Sequence, residues 1–334
     1  MPDKFDEDKI LVGRIMSVKR VKELNAKDYF YEMLKNSPEM LKIRPGVEDE
    51  LLVGAIDHHI HAFPDFVPRG QDMIQIAIDA SRAGMRGLGF KDHWNITSSA
   101  AYLVQRHIDY LIEKGELTHR VEIYGGMGTC LGINPEAVSI GLRYPNCKMI
   151  WFPTFTSLGF WRGAGHPEHT GVRLVSESGK VLPEVVEVLN MAKEKNVGIG
   201  WGHTDFQELL PLAKKAKEIG VRSVLDHPLL ELNKLLISEM KALADLGVYV
   251  GTYCQPMIPS LYQPVVDLMD TVNAIKKIGA DRCLIGSDFG QVLHLDAIPG
   301  IRVFIRALLG FGISRDEIKT MFNTNPARLL YLED

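Results

Sequence analysis

From residue 52 onward, short β-rich apolar runs alternate with amphipathic segments. Strand candidates lie at 52–61, 86–92, 121–126, 147–153, 197–203, 221–227, 247–253 and 281–288. Helix candidates lie near 71–83, 98–114, 134–143, 183–195, 206–219, 235–245, 264–278 and 300–322. Strands that alternate with helices predict parallel βαβ units. Eight such units, without the glycine-rich phosphate turn that opens a dinucleotide-binding sheet, predict an α/β chain folded as a (β/α)8 barrel of the TIM type. The barrel is expected over residues 51–334. Residues 1–50 read as a short N-terminal extension that packs on the barrel or on another subunit, with KILVGRIMSVKRV a strand or ribbon and AKDYFYEMLKN a short helix. One long irregular stretch, from about Thr154 to Lys180 with Gly159, Gly163, Gly165 and Gly171, is expected to be a lid over the barrel mouth that sets substrate choice.

Four of the units share a local design. A helix ends at Gly or Asn, residues suited to the left-handed position after a helix, and a chemically capable side chain follows seven positions later. Gly84 leads to Lys91, Asn196 to His203, Gly220 to His227 and Gly247 to Cys254. Equal offsets imply equal depth, and strand side chains alternate faces with period two. These side chains are therefore expected at one level near the carboxyl ends of the strands, the face on which such barrels build their active sites. Cys254 reads as a buried, inert thiol rather than a ligand.

The formal net charge of −4 gives no electrostatic reason to expect nucleic acid or an anionic membrane as partner. No apolar run reaches the length of a membrane span, and the acidic start MPDKFDEDKI lacks the layout of a signal peptide. The four cysteines stand singly, as buried thiols of a reducing compartment do, so the cytoplasm is the expected location. A small molecule is the expected partner, and association into a homo-oligomer is left open.

The strongest chemical signal is DHHIHAFPD at 57–65. It ends the apolar run LLVGAI and places His59 and His61 two apart on one face, a natural half-site for Zn²⁺ or a similar cation. Asp57 shares their parity and either orients a ligand or caps a structural bond. GWGHTD adds His203, SVLDHP adds His227 and CLIGSDFG adds Asp288, each at the end of a different strand candidate. Titratable groups gathered at one barrel mouth mark a functional pocket.

This layout, HxH after the first strand, single histidines after the fifth and sixth and an aspartate after the eighth, resembles the amidohydrolase superfamily of metal-dependent barrels. The resemblance covers roughly residues 50–334, including the closing NPARLLYL, while GMRG, GINPEAV and WFPT look like an uncharacterised branch. It implies a metal site of His59, His61, His203 and His227, with Asp288 as a metal-linked base for the attacking water. It implies one or two divalent ions, with zinc the first expectation. A complete flanking β-sandwich is not expected, because about 50 residues precede the first strand and almost none follow the last helix.

There is one departure. Where two-metal relatives carry a carboxylated lysine after the fourth strand, this chain reads NCKMIWFPT, with Lys148 at the wrong end of the strand. Lys91, after the second strand, is at ligand depth instead. Three readings stay open: a displaced carboxylated bridge between metals, an ammonium that holds an anionic substrate and steadies a developing oxyanion, or a structural ion-pair partner. An ammonium a few ångströms from a metal would repel it. His93, His166, His169, Arg162 and Arg173 form a second tier, and Trp94, Phe152, Phe155 and Trp161 are candidate walls. His107, His119 and His294 are assigned nothing. The expected reaction is metal-dependent hydrolysis of an amide, lactone or ester bond of a small molecule. The alternatives are a single-metal decarboxylase, which would need no lysine after strand four, and a non-catalytic metal- or ligand-binding barrel.

Overall fold

The computed structural model describes residues 43–166, 171–230, 234–258 and 266–333. Most of the N-terminal stretch, with its expected ribbon and short helix, and His169 lie outside the described residues. The eight strands are β1 (Ile56–Ile60), β2 (Gly87–Phe90), β3 (Glu122–Gly128), β4 (Cys147–Trp151), β5 (Gly198–Gly200), β6 (Ser223–Leu225), β7 (Tyr249–Tyr253) and β8 (Cys283–Gly286). Each pairs in parallel with the next, in the order β1 to β8. Every expected strand is present, and most are shorter than the apolar run that announced them.

Helices α1 (Val47–Leu52), α2 (Met73–Arg82), α3 (Ser98–Glu113), α4 (Pro135–Gly141), α5 (Leu158–Gly163), α6 (Pro183–Lys195), α7 (Phe206–Ile219), α8 (Ile237–Asp245), α9 (Leu268–Ile278), α10 (Ala297–Gly310), α11 (Arg315–Lys319) and α12 (Asn325–Leu329) complete the ring and its ends. Their termini follow from local chemistry. Asp72 and Gln75 close a capping box on α2. Asp205 caps α7, and Pro183 supplies the preset φ that starts α6. The helices before β5 and β6 stop at left-handed Asn196 and Gly220, with φ of 54° and 77°.

Two boundaries depart from the sequence reading. The first strand starts at Ile56, because VEDELL ahead of it forms α1 and buries Val47, Leu51 and Leu52. The expected 300–322 helix is two helices, α10 and α11. Left-handed Gly312, with φ of 81°, breaks the run before Ser314 caps α11.

The core has two parts. The larger lies between the outward strand faces and the helices. The smaller, with Ile56, Tyr124, Met149, Trp151, Val224, Tyr249 and Leu284, fills the barrel and joins Ala327, Leu329 and Leu330 from its amino-terminal end. That floor is tied to the strand starts. Asn325 Nδ2 donates to the Cys283 carbonyl at 2.8 Å, Arg86 to the Leu332 carbonyl at 2.9 Å, and Tyr331 Oη accepts from the Arg222 amide at 3.1 Å.

Closure between β8 and β1 occurs above the strands. The Asp288 amide donates to the His59 carbonyl and the His61 amide to the Phe289 carbonyl, each at 2.9 Å. Asp57, buried below them, accepts from the Ser287 amide at 3.0 Å and the His59 amide at 3.2 Å. The seam that closes the barrel therefore sets Asp288 against the two β1 histidines. No helix among the described residues is long and apolar enough to cross a membrane.

Candidate metal centre

The period-two face of β1 sends His59 and His61 into the mouth, and the seam brings Asp288 to meet them. Ligand atoms of His59, His61 and Asp288 all lie within 4.8 Å of one another, and all three residues are buried. Asp288 Oδ1 is 3.2 Å from Nε2 of both His59 and His61, while its Oδ2 is 3.8 Å from His227 Nε2. The His203 ring packs edge-on against His227 at 5.3 Å between centroids. The expected set therefore converges in two ranks: a tight trio from β1 and β8, with the β5 and β6 histidines beside it.

Backbone strain helps to build the site. His227 and Asp288 adopt φ of 51° and 54°, left-handed values uncommon for residues other than glycine. At His227 this breaks the strand alternation, so Asp226 and His227 both take part. Asp226 Oδ1 lies 3.2 Å from His59 Nδ1 and accepts from the Tyr253 hydroxyl at 2.9 Å, and its Oδ2 accepts from the Gly202 amide at 2.9 Å. Strand parity puts Asp226 on the inward face with Val224; His227 is the residue that departs from the alternation, and nothing in SVLDHP signals that both reach the mouth. Arg69, equally unforeseen, reaches back from the loop after β1. Its Nε donates to Asp65 Oδ2 at 2.7 Å and its Nη2 to His61 Nδ1 at 3.0 Å.

These partners give the two β1 histidines opposite tautomers. Lys91 Nζ stands 3.0 Å from His59 Nε2, and an amine in either protonation state has hydrogens to donate. With Asp226 behind Nδ1, the His59 proton belongs on Nδ1, which leaves the Nε2 lone pair facing Asp288 Oδ1. Arginine can only donate, so His61 Nδ1 is an acceptor and its proton sits on Nε2.

Burial and neighbours set the charges. Burial, with the His227 charge, holds His203 well below the usual imidazole range, and burial brings His227 down to about 4. Burial, then Arg69, likewise holds His61 low. Burial works against the Asp288 charge, but the neighbouring His227, with His59 and His61 beside it, outweighs burial and holds the carboxyl well below its usual range. Burial lowers the Lys91 amine, against the pull of Asp226 and Asp288.

Neutral imidazoles around an ionised carboxylate are the donor set of a borderline divalent cation. Nδ1 of His203 and of His227 is buried without a partner among the described residues, and His59 Nε2 and Asp288 Oδ1 set two acceptors face to face. The residues fit a cation. His59, His61 and Asp288 are the group that would hold it first, with His203 and His227 within reach of a second position.

A cavity of about 410 Å³ opens over this cluster, lined by His61, His93, His203, His227, Asp288, Arg69 and Gln291 among apolar residues. Lys91 is not on its wall; it lies beneath, buried, with Nζ 5.9 Å from the centre of the Trp151 ring. His93 stacks on His61 at 4.8 Å and pairs through Nδ1 with Thr154 Oγ1 at 2.8 Å. Phe155 and Phe160, from the stretch after β4, form part of the wall.

Other second-tier residues lie elsewhere. Arg162 pairs with Asp205, and Arg173 stands 3.7 Å from Glu177. His166 packs on Trp161, Phe152 stacks on Trp201 in the core, and Trp94 meets Phe66. Cys254 is fully buried, its thiol pushed well up by burial.

Comparison with solved structures finds the same barrel fold in several hydrolases. An amidohydrolase from Pseudomonas aeruginosa superimposes with a TM-score of 0.57 at 14% identity, over 85% of this chain and 98% of that one. The probable dipeptidase PvdM from the same organism gives 0.59 at 13% identity, over 88% and 98%. An organophosphorus hydrolase from Deinococcus radiodurans gives 0.52 at 14% identity, over 83% and 92%. No curated protein matches the chain. Residues 54–251, which run from the entry to β1 into β7 and include every histidine of the centre, match the model of a family of unknown function (DUF6282), and the chain belongs to that family.

Proposed function

We propose that this chain is a metal-dependent hydrolase that cleaves an amide, lactone or ester bond of a small molecule at the mouth of its barrel. The observation that carries the reading is the convergence of His59, His61 and Asp288 ligand atoms within 4.8 Å at the floor of a cavity. The hydrolase fold of the structural neighbours supports it.

A divalent cation, zinc by the chemistry of the donors, supplies Lewis acidity and a nucleophile drawn from water at neutral pH. Asp288 is ionised, so it can take a proton from the attacking water and return it to the leaving group. Its oxygens divide the work: Oδ1 faces the β1 histidines, and Oδ2 is turned toward His227. Asp226 fixes the His59 ring from behind, the carboxylate–histidine support that metal ligands commonly have.

The place of Lys91 beneath the cavity favours a part in the centre over a grip on substrate. Burial keeps its amine toward the neutral form, the one that reacts with carbon dioxide. That reaction would form an N–C bond and release one proton to solvent, leaving an anionic carbamate that would add oxygen donors to the centre.

Elemental analysis of the purified chain should find at least one divalent metal per molecule, and changing His59 and His61 together to Ala should remove most of it. Full retention in the double variant would end the proposal.

A further inference from the structure

The cavity wall is mostly apolar: Val67, Pro68, Phe155, Phe160, Pro256 and Val292 surround a few polar groups. Among the described residues that line it, Arg69 is the sole permanent cation. We propose that Arg69 holds the carboxylate of the substrate, so that the enzyme selects small, largely apolar carboxylic acids. This inference rests on the hydrolase reading above and names the substrate class of the same site.

The Arg69 side chain is only 3% exposed, a depth at which a charge-assisted pair with a bound anion is strengthened by the low dielectric. Its Nε and Nη2 serve Asp65 and its Nη2 also serves His61, but Nη1 has no partner among the described residues. The side chain is aimed rather than loose. An antiparallel bridge between Arg69 and Gln291, and a 2.9 Å bond from the Gly70 amide to the Gly290 carbonyl, pin its backbone to the loop after β8.

Occupancy of the metal centre strengthens the case. Were His61 to hold a cation through Nε2, its ring proton would sit on Nδ1, and the contact with Arg69 Nη2 would become donor against donor. Asp65 Oδ2, 3.9 Å from His61 Nδ1, is the nearby acceptor. The Nη2 hydrogen that pointed to His61 would then be freed beside Nη1, while the other Nη2 hydrogen stays on Asp65. Two parallel terminal N–H groups are the fork that recognises a carboxylate bidentately. Asp65 and Asp288 offset the positive charge, so the pocket suits a monoanion better than a phosphate dianion.

The test is calorimetric titration of the zinc-loaded protein, its metal content measured first, with 3-phenylpropanoate, 3-phenylpropanamide and phenyl phosphate. The carboxylate should bind at least about tenfold tighter than the isosteric amide, the scale of one charge-assisted fork, and tighter than the phosphate. Arg69→Met should abolish the preference while metal content stays at the wild-type level. Arg69→Lys, which keeps the charge and loses the fork, guards against a folding defect and should retain only part of the preference. Equal binding of acid and amide, no binding of the acid, preference for the phosphate, or an undiminished preference in Arg69→Met would overturn the proposal. Absence of metal in the wild type would instead overturn the hydrolase reading, and the two failures are read from separate measurements.

Discussion

His59 and His61 leave one strand two positions apart, yet their neighbours load them differently. Lys91 and Asp226 prepare His59 to donate a lone pair, whereas Arg69 keeps the His61 proton where a ligand bond would form. The histidines and Asp288 were legible because each is a distinctive residue type at a strand end. Asp226 and Arg69 were not: one is masked by His227, which a left-handed backbone turns into the same mouth, and the other arrives from a loop whose path no periodicity encodes. At this scale the clearest prediction concerns Asp288. Asp288→Asn keeps an oxygen that can coordinate but loses the proton acceptor. Hydrolysis of p-nitrophenyl acetate, followed by absorbance, should fall about a hundredfold or more, while elemental analysis finds most of the metal retained. Near-normal turnover would put the base elsewhere.

Among the elements, the β1–β8 seam and the stretch after β4 bear most directly on the site. Asp57, read from sequence as either ligand support or structural cap, is the cap. Burial raises its carboxyl from 3.8 to about 6. A carboxylic acid with a raised folded-state pKa favours folding only when protonated. Stability should therefore fall as pH rises from about 4 to about 6, by about 3 kcal/mol from this one group. Asp57→Asn keeps an accepting oxygen for the seam amides and cannot ionise. In metal-free protein, the difference in urea-unfolding free energy between variant and wild type should grow in the variant's favour across that interval. A pH-independent difference would refute the assignment.

After β4, α5 lies so close to the β5–α7 turn that a Cβ on Gly159 would stand 2.5 Å from the His203 carbonyl oxygen. Gly159→Ala should cost about 1–3 kcal/mol, seen as a lower Tm, and should raise KM more than it lowers kcat by shifting Phe160 in the wall. An unchanged Tm would show that the contact yields freely. The sequence marked this stretch as long and glycine-rich, but short helix α5 escaped notice because six residues carry too little periodicity to distinguish from a loop. The strands were legible for the opposite reason, since residues buried on both faces write continuous apolar runs.

For the whole molecule, the centre couples distant parts of the chain. A cation held by β1 and β8 would fasten the seam where no strand ladder among the described residues joins them. Chelation should therefore lower the thermal midpoint of the holoprotein, because a ligand that binds only the native state stabilises it by mass action. The drop should vanish in the variant with His59 and His61 both changed to Ala, and scanning calorimetry of the two proteins with and without chelator checks this. The barrel floor has a consequence of its own. Ala327, Leu329 and Leu330 stopper the end of the barrel opposite the cavity, and above them Trp151 lies against both Lys91 and His59. The burial that lowers the Lys91 amine and the His227 imidazole is thus maintained from below as well, by the plug at the opposite end of the barrel. Cutting that plug away would flood the shaft, raise the Lys91 amine back toward its ordinary range and favour the charged form that opposes an incoming cation, so a lesion in the basement would be felt as electrostatic rejection at the roof.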